Sequence, residues 1–165
     1  MKSALYAVGL AALLVWSVPS LAGVADSPLP ELVAGKTTLH LYTVPGVISG
    51  TGLGTFFSCT SLEETATMQV GVEIFGSLGG APVSDAAATA LSLGPGETRI
   101  FGTTLPVGIS VNSQVPGPGS KGSARILATS KKLACTAFIA DTGNAPPTSA
   151  WQLTIIAKLK QKAAN

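Results

Sequence analysis

One short stretch limits this chain more than anything else in it. In Thr67-Met68-Gln69-Val70-Gly71-Val72-Glu73-Ile74-Phe75, the apolar Met68, Val70, Val72 and Ile74 fall at every second position. Gln69, Gly71 and Glu73 take the positions between. Side chains alternate across a strand, so the spacing predicts an antiparallel strand with one face in a core and the other toward solvent. Trp151-Gln152-Leu153-Thr154-Ile155 repeats the pattern, with Trp151, Leu153 and Ile155 inward. Residues 38–44 put Leu39 and Leu41 on one face and His40 on the other. Leu133, Cys135, Ala137 and Ile139 form a further inward row, with Phe138 outside it. More strands are expected over 53–59, 90–93, 98–103, 109–111 and 123–128.

Turn chemistry separates these runs. Gly79-Gly80, Pro95-Gly96, Pro116-Gly117-Pro118-Gly119 and Gly143-Asn144 supply the positive or fixed φ angles that reversals need. The 165 residues allow a single domain. The expected fold is all-β: an antiparallel β-sandwich, Ig-like, of about seven to nine strands, preceded by a signal peptide. One segment, 85–90, reads as a short helix capped by Ser84 or equally as a connection between sheets. No internal repeat is visible. The Pro-Gly segment 114–122 is a long loop within the domain.

The N-terminus reads as an address. Lys2 precedes an uncharged run whose apolar centre, 4–18, is shorter than the ~20 residues of a spanning helix. Pro19 and Ser20 break the run, and Ser20-Leu21-Ala22 and Gly23-Val24-Ala25 each fit a small-x-small cleavage site. That order is that of a secretory signal peptide. The expected division is a signal peptide over 1–25 cleaved near Ala22 or Ala25, an extended leader over 26–37, the sandwich over 38–162 and a tail over 163–165. The mature chain is then exported, periplasmic or extracellular, with no transmembrane segment.

Two cysteines in an exported chain are more often paired than free. Cys59 shares a face with Phe57, and Cys135 with Leu133 and Ile139, so both thiols face the core. A Cys59–Cys135 bridge would close most of the domain into one loop, worth roughly 4.5 kcal/mol in chain entropy. No C-x-x-C spacing supports redox catalysis. With His40 the only histidine, a zinc site lacks ligands.

Four segments carry a resemblance: Phe56-Phe57-Ser58-Cys59-Thr60, residues 69–75, Leu93-Gly94-Pro95-Gly96-Glu97-Thr98 and Cys135-Thr136-Ala137-Phe138. Together they resemble small exported bacterial β-sandwich domains of unknown function with one cysteine in each of two strands. The Leu-Gly-Pro-Gly-Glu-Thr turn is similar to turns of Ig-like exported modules. A true immunoglobulin domain puts a Trp between its cysteines and a Tyr two before the second. Here no Trp lies between them and position 133 is Leu. The resemblance implies a sandwich and brings no activity with it.

Catalytic patterns are missing from the sequence. His40 alternates outward and reads as a solvated surface residue, and no G-x-S-x-G elbow is present. Glu63-Glu64 reads as a solvated turn. Gly50-Thr51-Gly52-Leu53-Gly54 lacks the Lys and following helix of a phosphate loop and reads as a flexible lead into a strand. The chain is therefore read as no enzyme, with no cofactor and no metal. A net charge of +2 without a basic cluster speaks against nucleic acid. Two features suit surface contact. Lys158, Lys160 and Lys162 would form one cationic row on an extended strand, either guarding a sheet edge or meeting an anionic surface. The loop 114–122, ending near Lys121, suits recognition or mere connection. Only 11% of residues are charged against 46% hydrophobic, which favours a surface covered by a partner or by copies of itself. The leading expectation is a non-enzymatic module of the bacterial envelope or exterior that is structural or binds a protein or glycan partner. The alternative is a secreted hydrolase or an accessory subunit of one.

Overall fold

The computed structural model describes residues 23–158. It contains eleven strands in two sheets. They are β1 Leu39–Val47, β2 Ser49–Gly50, β3 Leu53–Ser61, β4 Met68–Gly76, β5 Leu91–Leu93, β6 Thr98–Gly102, β7 Ser113–Gln114, β8 Gly122–Ala128, β9 Leu133–Asp141, β10 Ala150–Leu153 and β11 Ile156–Ala157. Sheet A has the order β11-β1-β8-β4-β5, and sheet B the order β10-β9-β3-β6-β7, with β2 paired to β3. All pairs are antiparallel except β6 with β7. The count exceeds the seven to nine strands expected, because short edge strands such as β2, β7 and β11 carry no alternation that a sequence could display.

The alternation of β4 places Met68, Val70, Val72 and Ile74 in the core. From sheet A they are joined by Val44, Val47, Ala124 and Ile126, and from sheet B by Phe57, Cys59, Phe101, Leu133 and Ala137. Cys59 and Cys135 lie directly opposite each other on neighbouring strands β3 and β9. Their Cα atoms are 4.1 Å apart and a disulfide joins them. The bridge therefore staples one sheet to itself, whereas the immunoglobulin bridge crosses between sheets. The turn Gly94-Pro95-Gly96-Glu97 carries the chain from β5 in sheet A to β6 in sheet B. Gly96 adopts φ 69°, and Glu97 closes the turn onto Gly94 through both its amide and its carboxylate.

Sheet A is covered on its outer face and sheet B over the part around Phe56, which the alternation did not reveal; Ala134 and Thr136 of β9 stay exposed. Gly71 and Glu73 of β4 are buried and only Gln69 is part-exposed, so β4 is packed on both sides. The segment read as an extended leader lies as a strap over sheet A, with Leu32 packed against Leu127 and Ala86. Ala86 belongs to the 77–90 connection, which forms turns rather than a helix. Its cap is Asp85, whose Oδ1 accepts the amides of Ala87 and Ala88. Ser84 instead is buried, accepting from the Ile74 amide and donating to the Val72 carbonyl. This connection joins neighbours within sheet A, not two sheets. At Gly71 an added Cβ would lie 2.8 Å from the Ala86 carbonyl, so only glycine admits this layer.

Sheet B is covered by the loop 103–112, where a strand over 109–111 was expected. The loop lies over Phe56, and Cβ atoms at Gly54 and Gly102 would strike Thr104 and Val111. Phe56 is fully buried there and stacks on Phe138 at 5.4 Å. The stretch 50–54, read as a flexible lead, is a tight hairpin with Gly52 at φ 80°. The run 151–155 also breaks: β10 ends at Leu153, and the chain crosses to sheet A before β11. Trp151, expected inward, is 55% exposed because β10 is the edge of its sheet.

Candidate functional site

The connections divide the sandwich into two unlike ends. One end gathers the loops 62–67, 94–97 and 129–132, which carry Glu63, Glu64, Glu97, Lys131 and Lys132, with Arg99 beside them. Four of these charges form two pairs. Glu63 accepts from Ser130 and lies 3.6 Å from the Lys132 ammonium, and Glu97 pairs with Arg99. Glu63 is thus a tie between two loops rather than part of a solvated turn.

The opposite end gathers the loops 48–52, 77–83, 103–112, 115–121 and 142–149. They are built of Gly, Pro, Ser, Thr, Asn and aliphatic residues, and Lys121 is the one charged residue within them. Leu78 is 95% exposed, Val107 74% and Leu105 64%. Four of these loops, all but 77–83, are tied to each other by backbone contacts. Ser49 donates to Gly119, Thr142 to Gly52 and Val107 to Thr142. Gly117 lies so close to Ser49 that a Cβ would come within 2.2 Å of its side chain. Gly108 is equally close to the Asn144 carbonyl, at 2.6 Å. At the rim, the Asp141 carboxylate accepts from the amides of Ser149 and Thr148 and from the side chains of Asn144 and Thr148. Those bonds, the Ser149 amide first and Asn144 next, hold its pKa below the ordinary carboxylate value. The result is a braced, charge-poor surface with aliphatic side chains at its tips.

The lysines singled out from sequence fall at separate places. Lys121 is exposed at this loop end, in a segment whose Val115 is fully buried. Lys158 follows β11 on the edge of sheet A, where its amide donates to Leu41. Lys160 and Lys162 lie outside the described residues, as does the part of the expected signal peptide up to Ala22. Cys59 is buried and Cys135 half-buried, and their disulfide serves the scaffold.

His40 does face outward, yet it is only 8% exposed, contrary to the solvated surface residue expected. A bulge at Leu41 re-phases β1 so that Tyr42 enters the interior and its hydroxyl donates to the Leu133 carbonyl. The His40 Nε2 lies 3.1 Å from the Tyr42 carbonyl and 3.0 Å from Thr43 Oγ1, and Nδ1 has no partner. Burial, then the charges of Lys158 and Arg125, push its pKa down to about 4, so the ring is neutral at pH 7. No carboxylate or serine is bonded to it. Arg125 is fully buried on the same face. It pairs with Glu73, donates to the carbonyls of Ser27 at 2.8 Å and Pro28 at 2.7 Å, and sits 5.2 Å from the Phe75 ring. Through these bonds Arg125 clamps the strap to sheet A.

A shallow open hollow of about 320 Å³ lies in the strap, between residues 29–31 and 35–38, with Glu31 as its one carboxylate. Among the described residues no group of three or more His, Cys, Asp or Glu could hold a metal ion. None of their helices is long and apolar enough to cross a membrane. Leu78, Leu105 and Val107 were not singled out from sequence. The signal was there, as long runs without charge between charged turns, but only the topology shows that the uncharged runs share one end. Comparison with protein families, with curated proteins and with solved structures finds no match to this chain.

Proposed function

We propose that this chain is an exported, non-enzymatic β-sandwich module of the bacterial envelope or exterior that binds a protein or glycan partner through its loop-bearing end. The observation that carries the reading is the contrast in charge between the two ends. Five loops, four of them braced against one another, present Leu78, Leu105 and Val107 with Lys121 as the one charge within them. An interface core is depleted of charge in this way, and a rigid scaffold presenting loops is a common binding design. Export, with removal of 1–25 near Ala22 or Ala25, is supported by the apolar N-terminal run and by the disulfide, which persists in oxidising compartments.

The test compares the mature protein with Leu78→Asp/Leu105→Asp/Val107→Asp and with Lys131→Glu/Lys132→Glu at the opposite end. Binding is measured on glycan arrays and on envelope fractions of the native host. Loss with the loop variant alone supports the reading. Equal binding by all three proteins, or turnover of a substrate by the wild type, overturns it. Mass spectrometry of protein from the host decides export, since an intact Met1 in a cytoplasmic fraction contradicts it.

A further inference from the structure

The edges of the two sheets are not equally protected. β7 and β11 offer two residues each and β5 three, and β11 runs directly into Lys158. Short strands and lysines are the usual means by which edges avoid pairing with other chains. β10 is longer, Ala150–Leu153, and holds no charge, no proline and no bulge in its register with β9. Asp141 donates to the Ser149 carbonyl, which sets the phase of the β9–β10 ladder. Hydrogen-bonded pairs alternate in an antiparallel ladder, so Trp151 and Leu153 bond to β9. The amides and carbonyls of Ala150 and Gln152 then point off the sheet, where no further strand lies among the described residues.

We propose that two copies of this chain pair antiparallel through β10, about a two-fold axis at Trp151. In that register Ala150 of one copy faces Gln152 of the other, and their outward amides and carbonyls bond reciprocally. Trp151 faces its own counterpart at a non-hydrogen-bonded position, where Cα atoms approach to about 4.5 Å and side chains meet most closely. Cys59 and Cys135 show that spacing within the chain, at 4.1 Å. The pairing covers an indole that is 55% exposed and makes an aromatic cross-strand pair. A second copy fits better than a charged partner, because β10 holds no charge and an isologous contact sets no like charges together. The same contact through β11 would bring two Lys158 side chains near each other.

Antiparallel pairing sends the two loop-bearing ends to opposite poles, so the dimer would bridge two partners. That consequence, unlike the pairing, rests on the function proposed above.

Sedimentation velocity of the mature protein over a concentration series tests the pairing. A dimer is expected, with an exciton couplet from paired indoles in circular dichroism. Trp151→Cys should form a covalent dimer on oxidation, with peptide mapping showing the Cys59–Cys135 link retained. Gln152→Cys, at a hydrogen-bonded position, should link far less. Ala150→Lys/Gln152→Lys sets lysines opposite each other and should raise the dissociation constant by about tenfold or more, with melting unchanged at dilutions where both proteins are monomeric. The triple Asp variant of the loops should dimerise as the wild type does, so partner binding and pairing fail separately. A wild type that stays monomeric at all concentrations overturns the proposal. So does a dimer that the double lysine variant leaves intact.

Discussion

Sheet A's outer face carries Arg125 and Glu73 beneath the strap, whereas sheet B's outer face carries Phe56 and Phe138 beneath the loop 103–112. Both coverings exclude water, by different physics. The strap is held by directional bonds from a buried cation to a carboxylate and two carbonyls. The loop is held by apolar contact and by glycines that let backbone approach. Loss of one apolar contact leaves a smaller apolar surface. Loss of one member of the clamp leaves a buried group unpaired, which costs its full desolvation. The polar covering should therefore fail abruptly and the apolar one gradually.

The largest effect is expected at Arg125. Arg125→Ala should cost about 3–5 kcal/mol in urea unfolding, the range for breaking a buried pair. Arg125→Met/Glu73→Leu should cost less than the single change, because only the Ser27 and Pro28 carbonyls are then left without a donor. If Arg125→Ala unfolds no earlier than Phe138→Ala, the contrast between the coverings is wrong.

Removing the staple of sheet B comes next. Cys59→Ala/Cys135→Ala should lower stability by about 3 kcal/mol, as for a native bridge in a small exported domain. Because the bridge joins neighbouring strands, hydrogen exchange should rise in β3 and β9 before it rises in sheet A.

Acid should act on sheet A through His40. Its pKa is about 4 in the fold against an ordinary histidine value of 6.5. Between those values the unfolded chain binds the proton and the folded one does not. Stability is therefore full above pH 6.5 and falls as the pH drops toward 4. The loss is roughly 2–3 kcal/mol at most. Unfolding midpoints of wild type and His40→Gln across this window should converge at low pH; parallel curves would remove His40 from the account.

The smallest effect is expected at Phe138. It is only part-buried, so Phe138→Ala should cost about 1–2 kcal/mol, below the roughly 3–5 kcal/mol of a fully buried ring. Phe56→Ala, fully buried in the same stack, should exceed it.

Local pattern alone determined much of this protein. The alternation of 67–75 placed Met68, Val70, Val72 and Ile74 in a core, since a strand has only two faces and one of them is wholly apolar. Cys59 and Cys135 could be assigned to inward positions for the same reason, and Pro95-Gly96 could be assigned to a turn. Everything on the outer faces needed the tertiary structure. Glu73, Arg125 and His40 look like solvent-facing residues because polarity in a strand records what a side chain can bond, not what lies above it. What lies above Arg125 is distant in sequence, the strap whose Ser27 and Pro28 carbonyls it meets. The bulge at Leu41 shifts the phase of β1 without any mark in composition. The loop-bearing end was equally hidden. Its uncharged stretches are separated by whole strands, and only the order of strands in two sheets brings Leu78, Leu105, Val107 and Lys121 to one pole, because chain connectivity fixes which turns share an end.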